Sequence, residues 1–421
     1  MAKVLISFVG TGPLINKGAG SSLMSAREYR RTTYHLGDED LGEYPFTAAA
    51  LSDYYDIDKI ILIGTAHSMW EEVYRFFKEK KCQVVDEQVY CDIAEYCEHA
   101  TSESALSLPH IEQVEQALGS NAHIALIKYG VNEAEINENI SIVLQLHELF
   151  STGDELIVDV THSFRSLPIL VMNLLLYINN VSMKHIKLSH IYYGMVEMIK
   201  EYGYAPIVDL KKVMELNKWI MGANSFKEYG KAYQISELLK GVDTDASTRL
   251  KHFSDVMNLN HIFAISRETK SIKTILKKDF PSLLPQMIVK PVVKEFVKSF
   301  QNTENDPALF QLKLAEWQYK HMNYAAALIS LQESILTYAC MVTKHDSEDK
   351  DERNAVKDQI FKAGILPEEL KKVYSEVTAM RNVVAHALEK DFSVAKIIDT
   401  IRTSLEIAEK YIDKSMCQTL F

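Results

Sequence analysis

Three residues near the end of the chain have the chemistry needed to cut a phosphodiester bond. Arg381, Asn382 and His386 lie within six consecutive positions. Arginine binds phosphate through a planar fork, and histidine donates or accepts a proton near neutral pH. RNA supplies its own nucleophile, the 2′-hydroxyl, so such a site needs no metal ion. The spacing alone favours a plainer interpretation, a surface arginine and histidine on an amphipathic helix, because such pairs are common by chance.

The surrounding pattern predicts that these residues lie on a helix. Pro367 followed by Glu368 and Glu369 is typical of a helix start, with proline in the first turn and acids at the positive end of the dipole. Apolar residues at helical spacing form its predicted core stripe: Val373, Val377, Met380, Val384 and Leu388. Asn382 and His386, four residues apart, would share a face away from this stripe. One helix supplies one arginine and one histidine, so a composite site would need two copies related by a two-fold axis.

An earlier long helix is predicted from a second apolar stripe, and together the two helices indicate a small helical bundle at the end of the chain. The stripe consists of Tyr324, Leu328, Leu331, Ile335 and Tyr338.

The first half of the chain alternates short apolar runs with helical patterns. The runs at 3–9, 59–63, 123–129, 155–160 and 187–194 predict five strands. Strand, loop and helix in repetition indicate a parallel sheet covered on both faces, in which ligands bind beyond the carboxyl ends of the strands. The loops after these strands are rich in small and hydroxyl-bearing residues, which predicts a nucleotide pocket, although each glycine alone also fits an ordinary turn.

Several familiar sites are excluded. The run from Gly10 to Ile15 lacks the third glycine of the dinucleotide fingerprint, and Pro13 interrupts the expected helix start. Ser163 is not in a nucleophile elbow, and His67 and His162 lack zinc spacing, so we expect no metal site. A transcription factor would need a helix-turn-helix with a basic recognition helix, for which the acidic C-terminal half offers no candidate.

Composition limits the partners and the compartment. The net charge of −11 argues against a protein that coats DNA. Five cysteines at irregular spacings fit a reducing compartment. The apolar runs at 4–9 and 167–178 are too short for a signal peptide and a membrane span respectively. We therefore expect a cytoplasmic protein with no membrane or DNA partner.

One segment departs from the acidic average. Residues 211–300 contain 16 Lys and Arg against 9 Asp and Glu, a net charge of +7. A solvated helical connector is the favoured interpretation, and a basic surface near an RNA path is the alternative.

Four segments together resemble the CRISPR-associated CARF–HEPN ribonucleases, the ancillary effectors of type III CRISPR systems. Residues 159–165 (DVTHSFR) resemble the family's D-x-T-H-x-x-R segment, and 8–12 (FVGTG) resemble its first strand and loop. Residues 223–230 (ANSFKEYG) resemble a segment common after the CARF domain. Residues 381–386 (RNVVAH) match the HEPN pattern of arginine followed by histidine.

The resemblance implies a fold and a mechanism. It implies a Rossmann-like α/β parallel-sheet CARF domain over 1–205, an all-α connector over 206–305 and an α-helical HEPN domain over 306–421. A CARF homodimer, or a higher oligomer, would bind cyclic oligoadenylate and so activate metal-independent endonuclease cleavage of single-stranded RNA. Cyclic tetra-adenylate is the first choice of activator and cyclic hexa-adenylate the second; no cofactor is expected.

The resemblance also assigns residues to roles. Arg381 and His386 from both copies would form the catalytic site, with Asn382 in support. The ring would be bound by loop residues at the strand ends: Gly10, Thr11, Gly12, Thr65, His67, Tyr129, Gly130, Asn132, Thr161, His162, Ser163, Phe164, Arg165 and Gly194.

One residue departs from the family pattern, since many CARF sequences carry glycine where this chain has Ser163. Its hydroxyl would bond the ligand or narrow the loop, and with Thr11 and Thr161 it could position a 2′-hydroxyl for slow cleavage of the activator. The alternative is a CARF sensor that degrades its own ring, or one whose HEPN half only binds or dimerises, although the presence of Arg381 and His386 argues against the latter. A nucleotide-dependent metabolic enzyme is disfavoured by the missing fingerprint.

We predict that Arg165→Ala weakens activation by the ring without changing the maximal rate at saturating ligand, because the guanidinium would bind phosphate and take no part in RNA cleavage. The measurement is the rate of RNA cleavage against ring concentration. An activation curve identical to that of the wild type would remove Arg165 from the pocket.

Overall fold

The computed structural model describes residues 1–11, 29, 31–162, 167–362, 364–386 and 393–413. Gly12, Ser163, Phe164, Arg165 and Leu388 lie outside these residues, as does the side chain of His386. The chain divides into two compact units, 1–214 and 215–421.

The first unit contains an eight-stranded mixed sheet in the order β3-β2-β8-β7-β6-β1-β4-β5. The strands are β1 Lys3–Val9, β2 Thr32–Leu36, β3 Glu39–Tyr44, β4 Lys59–Gly64, β5 His123–Leu126, β6 Glu155–Asp159, β7 Lys187–Gly194 and β8 Ala205–Asp209. Its helices are α1 Thr47–Tyr55, α2 Trp70–Lys80, α3 Glu87–His99, α4 Ile111–Leu118, α5 Glu133–Gln145, α6 Leu167–Asn180 and α7 Ile199–Tyr202.

The five strands predicted from the sequence are present and pair in parallel, but the sheet as a whole is not parallel. β1 pairs with β4 and β6, β4 with β5, and β6 with β7 in parallel registers. The pairs β2–β3 and β7–β8 are antiparallel. Apolar periodicity does not reveal β2, β3 and β8, because β2 (TTYHL) and β3 (EDLGEY) are largely polar and β8 (APIVD) is short and contains a proline.

Helices cover both faces of the sheet, and β1 is buried between them. Val4, Ile6 and Phe8 face the core formed with α5 and α6. Leu5 and Val9 face the opposite core, formed with α1 to α4. This alternation is the two-residue period of a strand, and it explains why β1 reads as a continuous apolar run.

Helices build the second unit. α8 Lys211–Tyr229 contains the boundary between the units, and it is followed by α9 Tyr233–Leu239, α10 Thr244–Leu259, α11 Ile262–Lys273, α12 Leu283–Lys298, α13 Pro307–Lys320, α14 Tyr324–Thr343, α15 Lys350–Lys362, α16 Glu368–His386 and α17 Val394–Ile412.

Two apolar cores lie in this unit, and α13 contributes to both. Phe310, Leu314 and Trp317 pack with residues of α8 to α12. Leu312 and Ala315, on another side of the same helix, pack with α14 to α17. α13 therefore joins a connector-like layer to a C-terminal bundle.

α14 is the central helix of the bundle. Leu328, Leu331 and Ile335 are fully buried, as the sequence pattern predicts. Within the part of the chain that the structure describes, α14 alone is long and apolar enough to cross a membrane, and 67% of its most apolar window is buried against other elements. Its composition is thus accounted for by its place in the core.

The predicted core stripe of α16 holds only in part. Val373 and Val377 are buried and Met380 is half-buried, but Val384 is 42% exposed. The prediction of a buried Val384 is therefore wrong: core packing of α16 ends near Met380, and the last turn lies at the surface.

A charged cluster ties α13 to α17. Lys313 Nζ lies 3.0 Å from Glu409 Oε1, 3.1 Å from Glu316 Oε1 and 3.3 Å from Asp413 Oδ2. Burial lowers the pKa of Lys313, but the hydrogen bond to Glu409 and the charge of Glu316 outweigh it, so the net pKa is raised. Lys313 is therefore a permanent cation among three carboxylates.

We predict that Lys313→Met lowers the free energy of unfolding by about 2–3 kcal/mol, because it leaves partly buried carboxylates without a counter-charge. Lys396→Met on exposed α17 surface should change it by less than about 0.5 kcal/mol. Urea unfolding followed by circular dichroism measures both, and equal stabilities would mean that the cluster contributes nothing.

Candidate functional site

The strand order predicts a crevice at the edge of the sheet where the chain changes direction. Because β1, β4, β5, β6 and β7 run parallel, their carboxyl ends meet at one edge. The chain leaves β1 toward helices on one face and leaves β6 toward α6 on the other. Such a switch point is where open α/β sheets bind ligands, and it lies between the residues after β1 and those after β6.

Asp159 links the two strands at this point. Its Oδ2 accepts a hydrogen bond from Ser7 Oγ of β1 at 2.6 Å. Its Oδ1 accepts from the backbone N–H and the hydroxyl of Thr161 at 3.0 and 2.5 Å. Burial raises the pKa of Asp159, while these donated hydrogen bonds oppose the rise. The carboxylate therefore sets where the loop after β6 begins.

Gly194 extends this network to β7. Its N–H donates to Thr161 Oγ1 at 2.7 Å. A Cβ on Gly194 would lie 2.6 Å from Thr47 Oγ1 and 3.2 Å from Thr161 Oγ1, so no side chain fits there. Gly194 is buried, and its N–H donates a hydrogen bond to Thr161. Its role is therefore to position Thr161.

His162 and Gly10 face each other across the crevice. A Cβ on Gly10 would lie 3.2 Å from the carbonyl oxygen of His162. The Gly10 carbonyl accepts from Tyr29 Oη at 3.0 Å and from the N–H of Met69 at 3.1 Å. The loops after β1 and β6 are thus in close contact, and Thr11 follows directly.

The His162 ring is held in an unusual state. Its Nε2 is buried and has no hydrogen-bond partner among the described residues. The ring lies against Tyr29, with centroids 5.8 Å apart. Burial lowers the pKa of His162, so the imidazole is neutral at pH 7. A buried ring nitrogen without a partner is costly and indicates a place where a ligand group or water can bind.

The loop after β4 is tied to the end of β1. Ser68 Oγ donates to the Val9 carbonyl at 2.6 Å and accepts from the Thr65 N–H at 3.0 Å. Thr65 is fully buried, and its carbonyl accepts from Trp70 Nε1 at 2.9 Å. Half-buried His67 bonds the Cys97 carbonyl through Nδ1 at 2.7 Å. Thr65 therefore stabilises the conformation of this loop through its backbone hydrogen bonds.

The residues of the loop after β5 stabilise the start of α5. Asn132 caps this helix by accepting from the Glu135 N–H at 2.9 Å. Glu135 accepts in return from the N–H groups of Gly130 and Val131 at 2.8 and 3.2 Å. Gly130 has a φ of +78°, which favours glycine. These groups, with half-buried Tyr129, lie three strands from β6, roughly 14 Å at the usual strand spacing.

Arg381 and Asn382 lie in the last turns of α16. Arg381 Nη1 donates to Asn382 Oδ1 at 3.1 Å, and both residues are half-buried. No carboxylate of the described residues forms an ion pair with Arg381. His386 ends the helix one turn beyond Asn382, so the backbone places the two on the same face. A guanidinium without a counter-ion at the surface can bind phosphate.

Ser7, Tyr29 and Ser68 also belong to the site, although the sequence motifs do not include them. Ser7 could have been found, since it is a lone hydroxyl within the apolar run of β1. Tyr29 and Ser68 carry no such signal. For metals, the described residues contain no group of three or more His, Cys, Asp or Glu side chains placed to hold an ion.

Two family models match the chain. Residues 4–197 match the CARF domain of the CRISPR system endoribonuclease Csx1, and residues 215–306 match the second domain of the CRISPR-associated protein MJ1674. The two matches identify a CRISPR-associated CARF domain followed by a CRISPR-associated helical domain in this chain. The family resemblance is thereby confirmed, and the first unit is an α/β CARF domain followed by a helical region.

Two individual proteins are similar to this chain. CRISPR-associated protein MJ1674 of Methanocaldococcus jannaschii is 30% identical over 413 residues, which cover 92% of this chain and 62% of the relative. The chain thus spans about three-fifths of the curated relative. Enterococcus italicus Csm6 bound to cyclic hexa-2′-fluoro-hexa-dAMP has a TM-score of 0.38 and 13% identity, covering 97% of this chain and 95% of that chain.

We predict that Gly194→Ala destabilises the CARF domain by about 1–3 kcal/mol, the usual cost of overpacking, because its Cβ would collide with Thr47. It should also displace Thr161 and weaken ligand binding at the crevice. Gly241→Ala is the matched control, since a Cβ there meets nothing within 4 Å. Thermal unfolding measures both; equal midpoints would show that the close approach at Gly194 is not a constraint.

Proposed function

We propose that the chain is a cyclic-oligoadenylate-activated, metal-independent endoribonuclease that cuts single-stranded RNA in type III CRISPR defence, acting in the cytoplasm. The observation that carries the proposal is that one chain contains both a CARF domain and, in the RNVVAH segment of its helical bundle, Arg381. Among the described residues, no carboxylate forms an ion pair with this arginine. We assign 1–205 to the sensor, 206–305 to the connector and 306–421 to a HEPN nuclease domain.

A large ring suits the sheet edge better than a small ligand. The candidate residues extend from Gly194 at the end of β7 to Asn132 after β5, across five neighbouring strands. At about 4.8 Å between strands, this edge is roughly 19 Å long. A cyclic oligoadenylate is large enough to contact loops from several strands. The buried Nε2 of His162 needs a partner, and a ribose hydroxyl or a base edge can supply it.

A homodimer is supported by the surface of α6. This helix is apolar along most of its length, yet Ile169 is 63% exposed, and Met172 and Leu176 are only half-buried. A helix with apolar residues on its outer side is stabilised by a partner. A second copy on α6 would place two crevices near one axis and complete a site for a symmetric ring.

RNA cleavage would use the end of α16. Arg381 would bind the scissile phosphate, Asn382 would orient Arg381 through the hydrogen bond between them, and His386 would move the proton to or from the 2′-hydroxyl or the leaving oxygen. Val384 and Ala385 are exposed on the same turn, so a second α16 could pack there and bring two arginines and two histidines together. Binding of the ring would favour that arrangement by its differential affinity.

We predict cleavage of a fluorogenic single-stranded RNA in EDTA only when cyclic tetra-adenylate or hexa-adenylate is present. His386→Ala should reduce the rate by about 10²–10⁴-fold, the usual contribution of a general acid or base, and leave ring binding intact. Arg381→Ala should also lose activity, whereas Arg402→Ala, an exposed arginine of α17 paired with Asp399 and Glu406, should not.

The outcomes separate the two candidate functions. Full activity in His386→Ala would remove the α16 residues from the reaction. A folded dimer that binds a ring but cleaves nothing would favour the sensor without nuclease activity. Loss of the ring during such an incubation would favour a sensor that degrades its own activator.

A further inference from the structure

A cavity in the helical region carries an unusual concentration of positive charge. It has a volume of about 260 Å³ and lies between α11, α12 and the residues that precede α13. Four lysines line it: Lys270, Lys273, Lys294 and Lys298. Its single acidic residue is Glu304, which pairs with Lys273 at 3.4 Å. The lining therefore has a net charge of +3 in a chain whose total is −11. We call it the lysine cavity.

Two helices aim their lysines at the same space. Lys270 and Lys273 share a face of α11 with Ser266, four and seven residues from it. Lys294 and Lys298 are four residues apart on α12. Among the described residues, Lys270, Lys294 and Lys298 form no ion pair, and all three are exposed.

Helix ends explain only part of this arrangement. Lys270, Lys273 and Lys298 lie in the last turns of their helices, where the dipole favours cations. Lys294 lies one turn earlier on α12. The dipole also gives no reason for the lysines of two helices to converge, and like charges at this spacing repel each other. Their convergence instead suits an anionic ligand.

The remaining lining is part polar and part apolar; its polar members are Ser266, Thr269, Gln301 and Thr303. Phe300 and Phe310 are buried, with stacked rings 4.9 Å and 30° apart. Leu276 and Val297 are half-buried beside them. A ligand for this cavity must therefore combine negative charge with a flat apolar group. A phosphate with an attached nucleobase meets both requirements within one small molecule.

We propose that the lysine cavity binds one nucleotide unit, with its phosphate at the lysines and its base against the apolar lining. The volume is close to the lower limit of small-molecule sites, about 300 Å³, so it accommodates a single nucleotide. That nucleotide is either free or part of a single-stranded RNA. The inference concerns residues 266–310 only and does not depend on the ring or on nuclease activity.

The test is isothermal titration calorimetry of the full chain with AMP, with inorganic phosphate and with a short single-stranded RNA. The double variant Lys270→Gln/Lys294→Gln should weaken AMP or RNA binding at least tenfold. Ser266→Phe, which fills the cavity and leaves every lysine in place, should do the same. The control Lys231→Gln/Lys251→Gln removes the same charge from exposed positions of the same region that do not line the cavity, and it should bind within about twofold of the wild type.

The two ligand sources give different results. Lysine-dependent binding of AMP identifies a free nucleotide as sufficient, and lysine-dependent binding of RNA alone identifies a strand. In both cases phosphate should bind more weakly, because it lacks the base.

Other results would overturn the proposal. Equal losses in the control pair would mean that only total charge matters. Binding that the lysine pair and Ser266→Phe leave unchanged would assign the ligand to the CARF crevice or another site. Phosphate binding as tight as AMP binding would remove the role of the apolar lining. A thermal unfolding midpoint close to that of the wild type confirms that each variant is folded.

Discussion

The buried carboxylate of Asp159 is the constraint on which the crevice depends. It accepts hydrogen bonds from Ser7 on β1 and from Thr161 beyond β6, and Thr161 in turn accepts from Gly194 on β7. One chain of short hydrogen bonds thus fixes the carboxyl ends of three strands relative to one another. A buried polar network of this kind is specific because leaving any member unsatisfied is costly. The loops that leave these strands begin from fixed points, whatever they bind.

The same network explains why glycine and neutral groups predominate at this edge. The backbones after β1 and β6 approach so closely that a Cβ on Gly10 would lie 3.2 Å from a carbonyl oxygen, and Gly194 is enclosed by two threonines. His162 is kept neutral by burial. What the described part of the crevice offers a ligand is therefore shape and directional hydrogen bonding, with little charge. Such a surface discriminates between ligands by fit, as a sensor of one particular ring would require.

The sequence predicts the parts of this architecture that follow from apolar periodicity. Four of the five parallel strands, β1, β4, β5 and β6, are buried along nearly their whole length and read as apolar runs, and the stripe of α14 repeats at helical spacing. β3 is missed because edge strands carry polar residues. The motif at 159–165 identifies Thr161 and His162, but it does not show that Ser7 completes the network, since that contact joins residues 152 positions apart.

The sequence is less informative about Asn132 and Gly130. Both fit a ligand-binding loop, but in the structure both also make hydrogen bonds that stabilise the start of α5. The prediction that Val384 is buried is wrong, because apolar periodicity does not show where the packing of neighbouring helices against α16 ends.

One part of the chain is positively charged although the chain as a whole is negative, and this gives the second unit a different chemistry from the first. Residues 211–300 carry a net charge of +7 while the whole chain carries −11. A solvated connector would pair its lysines with nearby acids, as Lys278 does with Asp243 and Asp245. Lys270, Lys294 and Lys298 form no such ion pair among the described residues, although carboxylates are abundant elsewhere. The repulsion among them lowers stability unless an anion offsets it, so attraction at the lysine cavity is electrostatic and salt-dependent. At the crevice, by contrast, geometry decides what binds.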